Sequence, residues 1–151
     1  MRALKTRVQV IHGVNFDVLE RRDAAVYGGR PLADLELQVG GFAGELGLEA
    51  SFFQTNHEGR FCEQLHLAAG RADGLILNPG AWTHYSYAIR DALELTGLPA
   101  VEVHLSAVSQ RDDFRRLSVL QDLCVGVVEG KGVEGYRDAL VLLKEHFGRD
   151  A

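Results

Sequence analysis

Short apolar runs alternate along this chain with longer segments in which apolar residues recur every three or four positions. The short runs are typical of β-strands and the periodic segments of amphipathic α-helices. The pattern predicts five strands, at residues 8–11, 48–53, 74–77, 99–103 and 123–128. It predicts helices at residues 32–46, 58–70, 85–95 and 133–147, with a short helical piece at 112–117. This alternation predicts an α/β fold with a parallel sheet, in one domain over residues 1–151.

The predicted strands are apolar nearly throughout, which favours a sheet covered by helices on both faces. The longest irregular segment, residues 13–30, joins the first strand to the first helix. It is polar, contains Arg21, Arg22 and Arg30, and exceeds the usual length of such a loop. We therefore expect this segment to be functional, for example as a lid over a site.

Polar residues concentrate just after the predicted strands. Ligands of open parallel sheets bind at the carboxyl ends of the strands. Four of the six histidines fall at that edge, namely His12, His57, His84 and His104. The loops at the opposite edge contain no histidine. This distribution predicts a functional site at the carboxyl edge of the sheet.

Composition and charge narrow the classes of function. Hydrophobic residues make up 46% of the 151 residues and charged residues 25%, which is ordinary for a globular domain. The net charge of −5 disfavours nucleic acid or an anionic membrane as a partner. The first residues lack the apolar core of a signal peptide, so we expect a cytoplasmic protein. The isolated Cys62 and Cys124 are expected to be buried reduced thiols.

Several chemistries compete for the predicted site. The histidines lack the paired spacing that favours zinc, so we expect no metal. Ser106 lacks the flanking glycines of a nucleophile elbow, and Lys131 lies in a glycine-rich turn where solvation is more natural than a Schiff base. The G-x-G-x-x-G match at residues 130–135 lacks the acidic partner of a dinucleotide site. Acid–base chemistry with electrostatic stabilisation remains.

The candidates for acid–base chemistry are one tyrosine in the arginine-rich segment, one Glu-x-His pair, two asparagines and two arginines. They are Tyr27, Glu102, His104, Asn15, Asn78, Arg111 and Arg115. Residues i and i+2 of a strand face the same way, which brings the Glu102 and His104 side chains together. The same spacing also fits a purely structural hydrogen-bonded pair, and Tyr27 also fits an exposed loop residue.

Four motifs, in this order, resemble those of the type II 3-dehydroquinate dehydratase family. They are Asn-His-Glu-Gly at 56–59, Asn-Pro-Gly-Ala-Trp-Thr-His at 78–84, Arg-Asp-Ala at 90–92 and Val-Glu-Val-His-Leu-Ser at 101–106. The resemblance implies a flavodoxin-like three-layer sandwich with strand order 2-1-3-4-5. It also implies a dodecamer of four trimers and the reversible dehydration of 3-dehydroquinate to 3-dehydroshikimate, without a cofactor or a metal.

The resemblance also implies roles for individual residues. Tyr27 would be the base, flanked by the lid arginine Arg22 and by Arg111. Asn15 would hold the lid and a water. His104 would be the acid, oriented by Glu102. Substrate would bind to side chains and backbone of Asn78, His84, Arg115, Leu105 and Ser106, and to Asp91 contributed by a neighbouring subunit.

The sequence departs from the family pattern mainly in the first loop. Where the family usually has Asn-Gly-Pro-Asn-Leu-Asn-Leu-Leu-Gly, residues 12–20 read His-Gly-Val-Asn-Phe-Asp-Val-Leu-Glu. The lid has Ala24 in place of a common proline, and residues 107–109 read Ala-Val-Ser instead of Asn-Val-His. We expect a looser lid and, through Glu20, added negative charge near the site. The alternative function is a non-catalytic or repurposed paralogue that binds a dehydroquinate-like ligand.

Overall fold

Five short segments rich in branched side chains form one parallel sheet in the computed structural model, which describes residues 4–149. The strands are β1 (Arg7–His12), β2 (Glu49–Gln54), β3 (Gly74–Asn78), β4 (Ala100–His104) and β5 (Gly126–Glu129). Their order in the sheet is β2-β1-β3-β4-β5. The α/β class and the strand order 2-1-3-4-5 are therefore confirmed.

Five α-helices and several 3-10 turns connect the strands. The helices are α1 (Ala24–Tyr27), α2 (Leu32–Glu45), α3 (Glu58–Ala68), α4 (Tyr87–Thr96) and α5 (Glu134–Arg149). The 3-10 turns are Phe16–Arg21, Gly80–His84, Val108–Gln110, Asp113–Arg116 and Gln121–Leu123. In the described part of the chain, no helix is long and apolar enough to cross a membrane.

Alternating side chains of the strands build two cores, one on each face of the sheet. Val10 and Ile76 pack with α2 and α5 on one face, whereas Ile11 and Leu77 pack with α3 and α4 on the other. The three central strands are almost entirely buried, while the edge strands β2 and β5 keep exposed positions. The expectation that all strands are covered on both faces therefore holds for β1, β3 and β4.

Two predicted boundaries are wrong for local reasons. The fifth strand starts at Gly126 and not at residue 123, because Gln121–Leu123 forms a 3-10 turn that directs Leu123 and Cys124 into the core beside α3 and α4. Helix α4 starts at Tyr87, two residues after the start that was predicted at residue 85. Its beginning is set by Ser86, whose hydroxyl accepts a hydrogen bond from the Ile89 N–H at 3.0 Å.

The loops after β1 and β3 touch backbone to backbone. The Gly13 N–H donates to the Asn78 carbonyl at 2.9 Å. A Cβ atom on Gly13 would lie 2.2 Å from the Pro79 carbonyl oxygen, closer than any non-bonded contact allows. Only glycine fits at this position, and its backbone contacts fix the position of one loop relative to the other.

We expect Gly13→Ala to destabilise the protein by at least about 2 kcal/mol, because the added methyl must displace a backbone carbonyl. Gly41→Ala is the matched control, since nothing lies within 4 Å of a Cβ at that exposed position of α2. Alanine there should be neutral or stabilising. Urea denaturation measures both free energies of unfolding, and equal effects of the two substitutions would contradict the close packing at Gly13.

The carboxylate of Asp73 ties the start of β1 to the turn before β3. It accepts hydrogen bonds from the Thr6 N–H at 3.0 Å, from the Arg7 N–H at 2.9 Å and from the Arg7 guanidinium. Burial alone would raise the pKa of Asp73, but these hydrogen bonds and the Arg7 charge outweigh it and lower the pKa. The ionised form therefore stabilises the folded state.

Asp73→Asn should reduce the free energy of unfolding at neutral pH by about 1–2 kcal/mol. Because the folded pKa of Asp73 lies below the unfolded value, this stabilisation is present above the ordinary carboxyl range and disappears as the pH falls through the folded pKa. The difference between variant and wild type should therefore shrink in acid. Asp113→Asn is the control, since that side chain is 96% exposed; a pH-independent difference for Asp73→Asn would contradict the assignment.

Candidate active site

A cavity of about 120 Å³ lies where β1, β3 and β4 end, at the edge that the sequence predicted. Its volume is below the usual range for drug-sized ligands, which favours a small substrate. All predicted site residues line this cavity except Glu102 and Asp91. The lining residues among them are Asn15, Arg22, Tyr27, Asn78, His84, His104, Leu105, Ser106, Arg111 and Arg115.

The phenol of Tyr27 lies between two guanidinium groups. Arg22 Nη2 and Arg111 Nη1 each donate a hydrogen bond to the Tyr27 hydroxyl oxygen at 2.8 Å. The Arg22 guanidinium also lies over the tyrosine ring, 4.0 Å from its centroid. Arg22 and Tyr27 belong to the segment after β1, whereas Arg111 follows β4. The phenol oxygen thus accepts two charged hydrogen bonds from separate parts of the chain.

A single helical turn, α1, presents Tyr27 to the cavity. Asp23 caps its beginning, since the carboxylate accepts a hydrogen bond from the Ala25 N–H at 3.0 Å. Gly28 ends it in a left-handed conformation, with φ of 85°. The sequence predicted irregular structure here, and the aspartate cap supplies a local constraint in a segment that has no proline before Pro31.

Glu102 and His104 form a buried pair on β4. The spacing predicted that both side chains face the same side, and His104 Nε2 is hydrogen-bonded to Glu102 Oε2. The carboxylate also accepts hydrogen bonds from Thr83 at 2.7 Å and from Ser118 at 2.6 Å. Glu102 is fully buried, so it acts on the cavity only through His104.

The electrostatic balance favours an ionised Glu102. Burial penalises the charge, but the hydrogen bonds from His104, Ser118 and Thr83 and the positive charge of His104 lower the pKa of Glu102 below its ordinary value. A carboxylate with three donors keeps its charge in a dry environment and holds the imidazole ring in one orientation.

Asn15 is the one non-glycine residue in the described part of the chain that has a positive φ, at 71°. Its N–H donates to Asn56 Oδ1 at 2.8 Å, and Asn56 Nδ2 donates to Asp17 Oδ2 at 2.9 Å. The amide of Asn56 therefore spans the loop after β1 and holds Asn15 in this conformation. Sequence reasoning noted the motif at 56–59 but not this role.

His84 and Arg115 line the same cavity as the phenol. His84 Nδ1 lies 2.7 Å from the Leu117 carbonyl oxygen. Burial, together with the charges of His104 and Arg115, lowers the pKa of His84, so the ring is neutral near pH 7. Arg115 Nε is buried without a hydrogen-bond partner, although Asp112 Oδ2 lies 3.5 Å away. An unsatisfied guanidinium is suited to an anionic ligand.

Some predicted residues lie elsewhere. Asp91 is exposed on α4, and Glu20 is exposed and does not line the cavity. His57 is exposed at the beginning of α3. His12 is fully buried behind the cavity, where it contacts Tyr136. Of the four histidines expected at this edge, only His84 and His104 line the cavity.

The remaining predictions concern cysteines and metals. Cys62 and Cys124 are free thiols, and both are partly rather than fully buried. Within residues 4–149 no group of three or more histidine, cysteine, aspartate or glutamate side chains is placed to hold a metal ion. Sequence reasoning missed Thr83, Ser118 and Tyr136, whose contacts with the site depend on long-range folding.

Comparison with known proteins places this geometry in a family. The family model described as dehydroquinase class II matches residues 6–144. A 3-dehydroquinate dehydratase of Bacillus pumilus is 45% identical over 92% of this chain and 95% of its own length. The protein named 3-dehydroquinate dehydratase 2 of Pseudomonas putida is 48% identical over 91% of this chain and 92% of its own.

Solved structures agree with these sequence relatives. The type II dehydroquinase of Butyrivibrio crossotus superimposes with a TM-score of 0.89 at 36% identity, and the match covers 93% of this chain and 99% of the other. A 3-dehydroquinate dehydratase-like protein of Bifidobacterium longum gives a TM-score of 0.68 at 29% identity, covering 95% and 98%. By its match over residues 6–144 and by these relatives, the chain belongs to the dehydroquinase class II family.

Proposed function

We propose that this protein is a 3-dehydroquinate dehydratase that interconverts 3-dehydroquinate and 3-dehydroshikimate through an enolate. The observation that carries the proposal is the Tyr27 hydroxyl, which accepts hydrogen bonds from both Arg22 and Arg111 beside a small cavity. The family and the names of the relatives support the same reaction. The enzyme needs no cofactor in this scheme.

Tyr27 acts as the base because two guanidinium groups stabilise its phenolate. A free phenol is about 4 kcal/mol short of ionising at neutral pH. One guanidinium at ~4 Å supplies roughly 4 kcal/mol at an effective dielectric constant of 20, before desolvation is subtracted. Two guanidinium groups therefore stabilise a phenolate more strongly than one does. Arg22 and Arg111 supply these two charges, and each donates a hydrogen bond to the Tyr27 oxygen.

The first step removes a proton from the carbon next to the substrate ketone. The electron pair of the C–H bond moves onto the ketone oxygen and forms the enolate, while the proton is bound by Tyr27. Asn15 lines the cavity close to this phenol and holds a water that donates to the enolate oxygen. The Asn56 amide keeps Asn15 in place through its backbone N–H.

The second step expels the hydroxyl group as water. His104 protonates the leaving oxygen while the enolate electrons form the carbon–carbon double bond. Because Glu102 binds Nε2 of His104, the other ring nitrogen is available to the ligand. The Glu102 carboxylate stabilises the positive charge of the protonated ring before transfer. Proton exchange with solvent then restores Tyr27 and His104.

Substrate polar groups are held by the cavity walls. The positive charge of the Arg115 guanidinium suits the ligand carboxylate, and His84 and Asn78 suit its hydroxyl groups. The backbone at Leu105 and Ser106 is fixed for binding, since its carbonyls accept hydrogen bonds from the N–H groups of residues 132, 130 and 108. A rigid wall of this kind limits the entropy lost on binding.

Assembly and location extend the proposal. A second cavity of about 260 Å³ shares His84, His104 and Arg115 with the first and is also lined by Arg116. We propose that Asp91 of a neighbouring subunit approaches Arg115 and Arg116 at this second cavity, which Glu102 and Glu129 also line, in a dodecamer of four trimers. The exposed position of Asp91 supports this arrangement.

The two free cysteines support a reducing compartment, and we propose the cytoplasm.

Tyr27→Phe should lower kcat for 3-dehydroquinate by at least about 10³-fold, because the base is removed. Arg22→Ala and Arg111→Ala should each lower kcat by about 10²-fold, since the phenolate loses one of its two charges. The conjugated enone of dehydroshikimate absorbs in the ultraviolet, so the rise in absorbance measures turnover. Tyr85→Phe is the control, because this exposed tyrosine does not line the cavity.

Wild-type protein that binds 3-dehydroquinate tightly without any rise in absorbance would contradict the dehydratase. It would favour the alternative of a binding module that has kept the pocket. Equal rates for wild type and Tyr27→Phe would contradict the role of the phenol while leaving the reaction in place.

Glu102→Gln should lower kcat by about 10²-fold, because a neutral amide cannot stabilise a positively charged His104 ring. Thr83→Val is the matched comparison, since it removes one hydrogen bond to Glu102 but keeps the carboxylate. We expect it to lower kcat by less than about tenfold. Steady-state kinetics at neutral pH measures both, and a larger loss for Thr83→Val than for Glu102→Gln would contradict the charge argument.

A further inference from the structure

Three buried polar side chains form a chain of hydrogen bonds from the core to the cavity. His12 Nε2 lies 2.8 Å from the Tyr136 hydroxyl oxygen, and Asn78 Nδ2 donates to the same oxygen at 3.2 Å. His12 and Tyr136 are both fully buried. Asn78 lines the cavity, whereas His12 and Tyr136 do not. The interior pair therefore meets the ligand only through Asn78.

Counting protons in this chain leaves two consistent arrangements. Burial raises the pKa of Tyr136 and lowers the pKa of His12 to about 3, so the phenol keeps its proton and the imidazole is neutral. In the first arrangement Asn78 donates to Tyr136, Tyr136 donates to His12 Nε2, and the imidazole proton is on Nδ1. In the second arrangement His12 Nε2 carries the imidazole proton and donates to Tyr136, and Tyr136 donates to Asn78. The Asn78 amide must then be rotated so that its oxygen faces Tyr136.

The Asn78 amide nitrogen faces the phenol, which fits the first arrangement and not the second. We propose that His12, through Tyr136, is a positioning residue that fixes the amide of Asn78 with its oxygen toward the cavity. This inference rests on the proposed function. The amide oxygen only accepts hydrogen bonds, so a ligand group that meets this oxygen must be a donor. A hydroxyl group of the substrate meets this requirement, whereas a carboxylate does not.

A purely structural role explains His12 poorly. Its Nδ1 atom is buried without any hydrogen-bond partner, which destabilises the folded state. Its ring packs against Phe16, with centroids 4.8 Å apart, and an apolar side chain would fill this space without leaving an unpaired nitrogen. The imidazole does offer one feature that an apolar side chain lacks, an acceptor at Nε2 for the Tyr136 proton.

Kinetics of three variants tests the inference. Tyr136→Phe and His12→Leu should each raise the KM for 3-dehydroquinate about fivefold with kcat changed less than twofold, since a binding contact loses its fixed orientation. The double variant should have the same KM as either single variant, because both act through Asn78. Gln9→Leu is the control, because Gln9 lies on the same strand as His12 and the substitution breaks its partly buried hydrogen bond to Gln64 on α3, away from the cavity.

The outcomes separate positioning from stability. A KM that rises in both single variants but no further in the double variant supports positioning. Unchanged KM values with lowered melting temperatures, as expected for Gln9→Leu, would overturn it. Effects of the two substitutions that multiply in the double variant would also overturn it, since independent contributions are additive in free energy.

Neutron crystallography of the deuterated wild-type protein tests the proton arrangement without reference to turnover. We expect deuterium on Tyr136 to point at His12 Nε2, deuterium on His12 Nδ1, and the ND2 group of Asn78 facing Tyr136. Deuterium on His12 Nε2, with the Asn78 oxygen facing Tyr136, would overturn the inference. Because this measurement needs no substrate, failure of the dehydratase proposal and failure of this inference remain distinguishable.

Discussion

Two like charges converge on one phenol oxygen, and the active site is organised around that contact. The guanidinium groups of Arg22 and Arg111 would repel each other in isolation, so their shared position needs an electron-rich atom between them. Tyr27 supplies this atom, and the attraction increases when the phenol loses its proton. One arginine is five residues from the tyrosine and the other is 84 residues away. Local sequence places the proposed base, but the tertiary fold supplies one of its two guanidinium partners.

The Glu102–His104 pair has to stabilise a negative charge in the protein interior, away from water. Glu102 is fully buried yet remains ionised, because side chains from three elements donate to it. Tyr27, in contrast, lies at the end of the single helical turn α1 and is only half-buried. Strand β4 therefore fixes His104, the proposed acid, while the segment after β1 carries Tyr27, the proposed base. This division suits an enzyme in which substrate must enter between the two groups.

Sequence periodicity predicted most elements because apolar spacing and capping are local properties. It failed at the beginning of β5, where Leu123 and Cys124 are apolar but belong to the core beside the sheet. The edge position of the site was predictable, since all parallel strands end on the same side. The partners of Glu102 were not, because Thr83 and Ser118 lie 19 and 16 residues away and their hydroxyl groups carry no distinctive pattern.

The interlocked backbones of the loops after β1 and β3 bear on which substitutions this region of the protein can accept. Gly13 presses on Pro79, and a Cβ on Gly80 would lie 2.9 Å from the Val14 carbonyl oxygen. The path of the first loop is thus set by main-chain contacts, which do not depend on which side chains flank them. Substitutions at neighbouring positions, such as His12, can then change the packing behind the cavity without moving the two loops.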